Sequence, residues 1–139
     1  MATTDDAHAD DTRVAVDTSA LMLPVEGSIR VFDELDRLLG TYRAVVPRSV
    51  VAELNALAGG NGEAARAAAV GRDLVDRCAV VETDNGYADD AIAALARRTV
   101  THVVTNDRPL ADRVRTNVRP ITVRGRGRLT IESCTSESD

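Results

Sequence analysis

Short unbroken runs of branched aliphatic residues alternate along the chain with longer stretches in which apolar positions recur at helical spacing. Val14-Ala15-Val16, Ala44-Val45-Val46, Ala79-Val80-Val81, His102-Val103-Val104 and Ile121-Thr122-Val123 are the β-prone runs. Between them, Ile29, Phe32, Leu35 and Leu39 share one helical face, and Gly40 follows as a stop. Val50, Val51, Leu54 and Leu57 form a second stripe, opened by Pro47 and closed by Gly59-Gly60. Glu63 to Arg77 is an Ala-rich helix, and Ala88 to Arg98 is a helix that buries Ile92, Leu95 and Ala96. Asp84-Asn85-Gly86 is a turn, and Leu110 with Val114 marks a short helix. Strands separated by helices pair in parallel through right-handed crossovers. The prediction is an α/β fold of three layers, α/β/α, around a central parallel sheet of about five strands. The strands are apolar throughout, as expected when helices cover both faces. No internal repeat is present. One domain is expected over residues 13–131, between a disordered acidic tail at 1–12 and a second polar, disordered tail at 132–139.

Composition narrows the core. Aromatics are only 2% of the 139 residues against 44% apolar, so Val, Leu, Ile and Ala must build it. No apolar run approaches the roughly 20 residues that cross a bilayer. The acidic start lacks the basic and apolar segments of a signal peptide. The expectation is a cytoplasmic protein with no membrane partner. Cys78 and Cys134 lie far apart and His8 and His102 are isolated, which argues against a zinc or redox centre. Net charge is −5, and every one of the 17 basic residues is Arg. Asp outnumbers Glu about two to one, a composition that fits a salt-adapted organism with a GC-rich genome. An acidic chain ordinarily argues against a nucleic-acid partner. That argument weakens where acidity answers to the solvent.

The carboxylates change the picture most. In parallel sheets, sites form at the carboxyl ends of strands. Asp17 follows the first strand and Asp107 lies just beyond the fourth, each beside small polar residues, Thr18-Ser19 and Thr105-Asn106. Asp89 and Asp90 open the helix before the fourth strand, and Glu53 lies at the edge of the stripe after the second. Each has a plain structural reading as helix cap, dipole partner, turn residue or solvated helix position. Together, four segments repeat one theme at one end of one sheet. Two carboxylates ~4 Å apart repel by about 4 kcal/mol at an effective dielectric near 20. A cluster of them calls for a divalent cation, and oxygen-only ligands point to Mg²⁺ or Mn²⁺.

Four stretches carry a resemblance: Val-Ala-Val-Asp17-Thr-Ser-Ala-Leu, Val-Pro-Arg-Ser-Val-Val-Ala-Glu53-Leu, Tyr-Ala-Asp89-Asp90-Ala-Ile and Val-Val-Thr-Asn-Asp107-Arg-Pro-Leu. In this order and spacing they resemble the PIN domain, across roughly residues 13–124. Among PIN proteins the Gly-Tyr-Ala-Asp-Asp stretch is most similar to archaeal relatives of the small-subunit processome nuclease that cleaves pre-18S ribosomal RNA. A VapC-type toxin is the second resemblance. The family pattern places its four acids at Asp17, Glu53, Asp89 and Asp107, with Asp90 as a helper.

The resemblance implies a metal-dependent endoribonuclease. Asp17, Asp89 and Asp107 would hold Mg²⁺ or Mn²⁺, Glu53 would bind through water, and Ser19, Thr105 and Asn106 would orient the carboxylates. Cleavage would leave 5′-phosphate and 3′-hydroxyl ends. It also implies RNA as substrate, a homodimer, and either an antitoxin or a ribosome-assembly partner. Arg108 and the Arg124-Gly-Arg126-Gly-Arg128 run are the candidate phosphate contacts; a solvated exit segment is the other reading of that run. A phosphoacceptor receiver domain would need a Lys that this chain lacks, and an Asp-x-Asp-x-Thr phosphotransferase would need an acid where Ser19 stands. A catalytically weak PIN module that only binds RNA or assembly partners is the non-enzymatic alternative.

Overall fold

A computed structural model describes residues 11–135. Of the tails expected at 1–12 and 132–139, residues 1–10 and 136–139 lie outside the described residues. The chain runs β1 (Arg13–Val16), α1 (Thr18–Leu21), α2 (Leu23–Glu26), α3 (Val31–Leu39), β2 (Arg43–Pro47), α4 (Arg48–Ala58), α5 (Gly62–Leu74), a 3₁₀ turn (Val75–Arg77), β3 (Ala79–Val81), α6 (Ala88–Arg98), β4 (His102–Val104), α7 (Arg108–Val114), β5 (Arg119–Val123) and β6 (Leu129–Ile131). All five expected strands form and pair in parallel, in the order β3-β2-β1-β4-β5. Branched aliphatics explain them: Val14, Ala15, Val16, Val46, Val103, Val104 and Ile121 are fully buried, as strands covered on both faces must be. The helices between β1, β2 and β3 pack with one another, α1 and α2 against α5, whereas α6 lies across β1, β2 and β4 and meets α7. Right-handed crossovers run one way from β1 through β2 to β3 and the other way from β3 to β4, which puts these two groups on opposite faces and makes the three layers.

Two features depart from the sequence expectation. The sheet has a sixth strand, β6, antiparallel to β5, with Ile121 opposite Ile131 and Val123 opposite Leu129. Arg124 to Arg128 is the turn between them, closed by the Arg124 N–H donating to the Arg128 carbonyl at 2.9 Å. Gly125 and Gly127 adopt φ of +64° and +71° there, backbone that L side chains resist. The segment expected to leave the fold therefore turns back into it. Its outer edge is also covered: Glu34 accepts the Leu129 N–H at 3.0 Å, and Arg37 donates to the Leu129 carbonyl at 2.9 Å. Two side chains of α3 thus stand in for a strand neighbour. At the opposite edge, β3 is largely exposed, with Val80 at 38%, so the expectation of a strand covered on both faces does not hold there.

The second departure is the C-terminal segment. Residues 132–135, expected to begin a disordered tail, are among the described residues. The Glu132 N–H donates to the Pro120 carbonyl at 2.8 Å, and the Thr135 N–H to that of Arg115 at 2.9 Å. The Glu132 carboxylate accepts from Arg108 at 3.0 and 3.2 Å, from Arg115 at 2.6 Å, and from the Thr122 hydroxyl. These donors hold its pKa down at about 2, the Arg108 hydrogen bond foremost. A polar run reads as tail in sequence because its partners lie on β5 and α7.

α1 and α2 fill the link between β1 and α3. They sit against α5 at Gly71, where an added Cβ would come 2.9 Å from the Leu21 carbonyl oxygen. This close approach brings Thr18 and Ser19 down onto the end of β1.

Candidate active site

The strand order reverses between β1 and β4, because the chain leaves β1 toward β2 on one side and reaches β4 on the other. Loops diverging at such a switch point open a crevice outside the carboxyl ends of the strands. Asp17 follows β1 and Asp107 lies three residues past β4, so topology alone brings these two acids together.

Asp17 is the floor of the crevice and is only 3% exposed. Its N–H extends the β1–β4 ladder to the Val104 carbonyl at 3.1 Å. Its Oδ2 accepts from the Ser19 and Thr105 hydroxyls, both at 2.7 Å. Those hydroxyls lie 3.1 Å apart and are themselves anchored: Ser19 Oγ accepts the Asn106 N–H at 2.9 Å, and Thr105 Oγ1 the Asp107 N–H at 3.0 Å. Ser19 and Thr105 thus touch the Asp17 carboxylate directly, and Asn106 reaches Ser19 through its backbone N–H. Asp17 stands at the N-cap of α1, and its best-defined side-chain partners are the Ser19 and Thr105 hydroxyls. Burial raises its pKa, and the two hydroxyl donors oppose that rise.

Asp107 does cap α7: its Oδ1 accepts the Leu110 N–H at 3.0 Å. Glu53, exposed on α4, accepts from the Thr18 hydroxyl at 2.7 Å. Asp89 lies exposed in the first turn of α6. Desolvation raises its pKa, the negative charges of Asp17 and Asp107 raise it further, and Arg113 pulls it back. Asp17 and Asp107 are linked through the Thr105 hydroxyl, which donates to the Asp17 carboxylate and accepts the Asp107 N–H. Asp90 forms an ion pair with Arg113 at 2.9 Å. An open cleft of about 660 Å³ is lined by Glu53, Asp89, Asp90, Arg113, Ser49 and Tyr87. A second hollow, about 580 Å³, lies between the α2–α3 link and the β5–β6 turn and is lined in part by Asn106 and Arg126. Arg108 is committed to Glu132 and, at 3.6 Å, Asp112.

The donors gathered here are oxygens alone, suited in kind to a hard divalent cation. The chemistry of the donor set fits the ion. The spacing is open: among the described residues, no three acidic, His or Cys side chains close into a ready metal nest.

A family model described as a PIN like domain matches residues 14–126. The chain belongs to the PIN-like family. The resemblance carried by its four acidic stretches therefore holds at the family level. The PIN-like domain superposes on the PIN domain endonuclease Utp24 with a TM-score of 0.71 at 24% identity, over 88% of this chain and 92% of that one. A domain of a functionally unknown protein from Methanocaldococcus jannaschii matches with a TM-score of 0.61 at 18% identity, over 82% and 92%. VapBC2 from Rickettsia felis, solved bound to a DNA fragment from its promoter, matches at 0.58 and 14% identity, over 80% and 98%. These similarities are of fold. No curated protein matches the PIN-like domain in sequence.

Several site residues have no signal in the sequence. Thr18 stands out there only as a neighbour of Asp17, and its bond to Glu53 spans 35 positions. Arg113 reads as a surface helix residue until α6 and α7 meet. Nothing local marks Glu132 or Ser49; the Ser49 Oγ is buried with no hydrogen-bond partner among the described residues. No helix among the described residues is long and apolar enough to cross a membrane.

Proposed function

We propose that this PIN-like domain is a Mg²⁺- or Mn²⁺-dependent endoribonuclease that hydrolyses RNA phosphodiester bonds. The observation that carries the reading is the meeting of Asp17 and Asp107 at the switch point of the sheet, linked through the Thr105 hydroxyl, together with the open cleft lined by Glu53 and Asp89. Asp17, Asp89 and Asp107 would hold the ion, with Glu53, steadied by Thr18, binding through water. The bound ion supplies a water of lowered pKa and polarises the phosphoryl oxygen. Ser19 and Thr105 keep Asp17 oriented, and outer partners of this kind matter by about 10–100-fold in affinity or activity. Asn106 fastens the β4–α7 loop to Ser19.

The substrate class within the family is proposed as ribosomal RNA precursors, supported by the fold similarity to Utp24. A VapC-type toxin ribonuclease with an antitoxin partner is the second reading, supported by the lower-scoring similarity to VapBC2. Arg124, Arg126 and Arg128, exposed around the β5–β6 turn, are proposed to grip the RNA backbone; Arg108 joins them only by leaving Glu132. On a single strand, each phosphate that an Arg no longer neutralises flattens the slope of log K against log salt by roughly 0.7, which a triple Arg→Gln variant measures.

The deciding experiment incubates purified protein with single-stranded RNA in Mn²⁺, in Mg²⁺ and in EDTA, and maps the ends. Cleavage with either ion and none in EDTA, leaving 5′-phosphates, is the expected result. Binding without cleavage in every condition would leave a non-catalytic RNA-binding module. Preferential cutting of ribosomal precursor fragments favours the processing role, and cutting suppressed by the product of a neighbouring small gene favours the toxin.

A further inference from the structure

The chain has three aromatic residues, one Phe and two Tyr. Phe32 is 3% exposed, with the Arg77 guanidinium 4.7 Å above its ring. Tyr42 is half-buried and donates its hydroxyl to the Phe32 carbonyl. Tyr87 is 79% exposed, and no described residue hydrogen-bonds its side chain. It occupies the N-cap of α6 without capping it, at a position where Ser, Thr, Asp or Asn would serve the helix better. Neither the core nor the helix explains a ring there. Its place does: Tyr87 lines the acidic cleft, two residues before Asp89, in company with Glu53 and with Ser49, whose Oγ has no hydrogen-bond partner among the described residues.

We propose that Tyr87 is a stacking platform for an unpaired base of single-stranded RNA at the lip of the acidic cleft, an inference that rests on the ribonuclease reading above. The charges decide which part of the strand faces this wall. Glu53, Asp89 and Asp90 line it, and Arg113, the cation lining it among the described residues, is paired with Asp90. Away from the ion that Asp89 and Glu53 would help to hold, these carboxylates repel a phosphate, whereas an uncharged base gains the ring face. The Arg-bearing turn lies by the other hollow, next to Asn106. The strand therefore crosses the acids with a base on Tyr87 and its backbone continuing toward the turn. Stacking tolerates any base but needs one that is free of a duplex, so the site selects single-stranded substrate without reading sequence.

The test uses the full chain carrying Asp17→Asn to prevent cleavage. RNA affinity is measured for that parent and for versions adding Tyr87→Ala or Tyr87→Phe, with a single-stranded RNA bearing fluorescent 2-aminopurine and with a duplex of the same length. Removing one stacked base corresponds to a roughly 5- to 140-fold weaker affinity. Tyr87→Ala should weaken single-strand binding that much and abolish the stacking quench of 2-aminopurine. Tyr87→Phe should retain both, and the duplex should be bound equally by all three. Parent-like single-strand affinity and quench in Tyr87→Ala would overturn the proposal. Tyr87→Phe as weak as Tyr87→Ala would also overturn it, assigning Tyr87 a hydroxyl contact instead. Equal weakening on duplex and single strand would do the same. A parent that binds no RNA, together with a wild type that cleaves none, would instead overturn the ribonuclease reading beneath it.

Discussion

The floor and the lip of the crevice are built differently. Asp17 is buried, its backbone is part of the β1–β4 ladder, and two anchored hydroxyls hold one carboxylate oxygen. Asp89, on the lip, is exposed in the first turn of a helix, and the dominant influences on it are partial desolvation and the charges of other acids. One carboxylate is oriented by the fold before any ligand arrives; the other stands exposed on the first turn of α6. The proposed metal site would thus stay stable without its ion: the costly buried charge is hydrogen-bonded, and the Asp89 charge stays near water.

The largest expected effect lies at the floor. Asp17→Asn keeps the shape and both hydroxyl neighbours but removes charge, so cleavage should fall by on the order of 100-fold or more, beyond what changes to the outer partners produce, with an unchanged circular dichroism spectrum. Wild-type turnover in the pure variant would remove Asp17 from the proposed metal site.

Supplying the ion should bring the lip to the same order as the floor. Mn²⁺ at ~100 times its dissociation constant stabilises by about 2.7 kcal/mol. Thermal scans in Mn²⁺ and in EDTA at matched ionic strength should differ accordingly, and amide exchange should slow in the first turn of α6. Superimposable scans would count against a divalent site.

Thr105→Val tests the floor without touching a carboxylate. It leaves buried Asp17 short of one donor at a cost of about 1–3 kcal/mol, read as a lower denaturation midpoint. Asp89→Asn in EDTA should act in the opposite direction, raising the midpoint by less than about 1 kcal/mol because its charge is screened by water. Destabilisation by both changes would erase the contrast between floor and lip.

The smallest effect is the pH dependence in EDTA. Asp17 and Asp89 have raised pKa values. Their protonation favours the fold below the usual Asp value of 3.8, and that contribution is lost as pH rises through their folded values. Glu132 has the opposite sign: held down at about 2 from 4.5, it stabilises above 4.5 and its contribution fades as pH falls toward 2. Glu132→Gln should therefore remove part of the acid-limb loss, while Asp89→Asn should flatten the gain. Chemical denaturation across roughly pH 2–6, a window spanning the folded and unfolded values of these groups, measures both.

The strands, most of the helices and the positions of the four acids are written in the amino-acid sequence. They depend on local information: β-branched runs, helical periodicity, and carboxylates that must follow a strand or open a helix to reach the end of a parallel sheet. What surrounds those acids was settled by tertiary packing alone. The bond from Thr18 to Glu53, the pairing of Arg113 with Asp90 and the hold of Arg108, Arg115 and Thr122 on Glu132 each join distant segments, so no local pattern announces them. β6 is hidden for the same reason. Leu129-Thr130-Ile131 follows the Arg-Gly turn directly, and it becomes a strand because β5 and the Glu34–Arg37 pair supply its backbone partners. Local chemistry set which groups could act at the site, and chain packing set which are oriented, which are paired and which still face water.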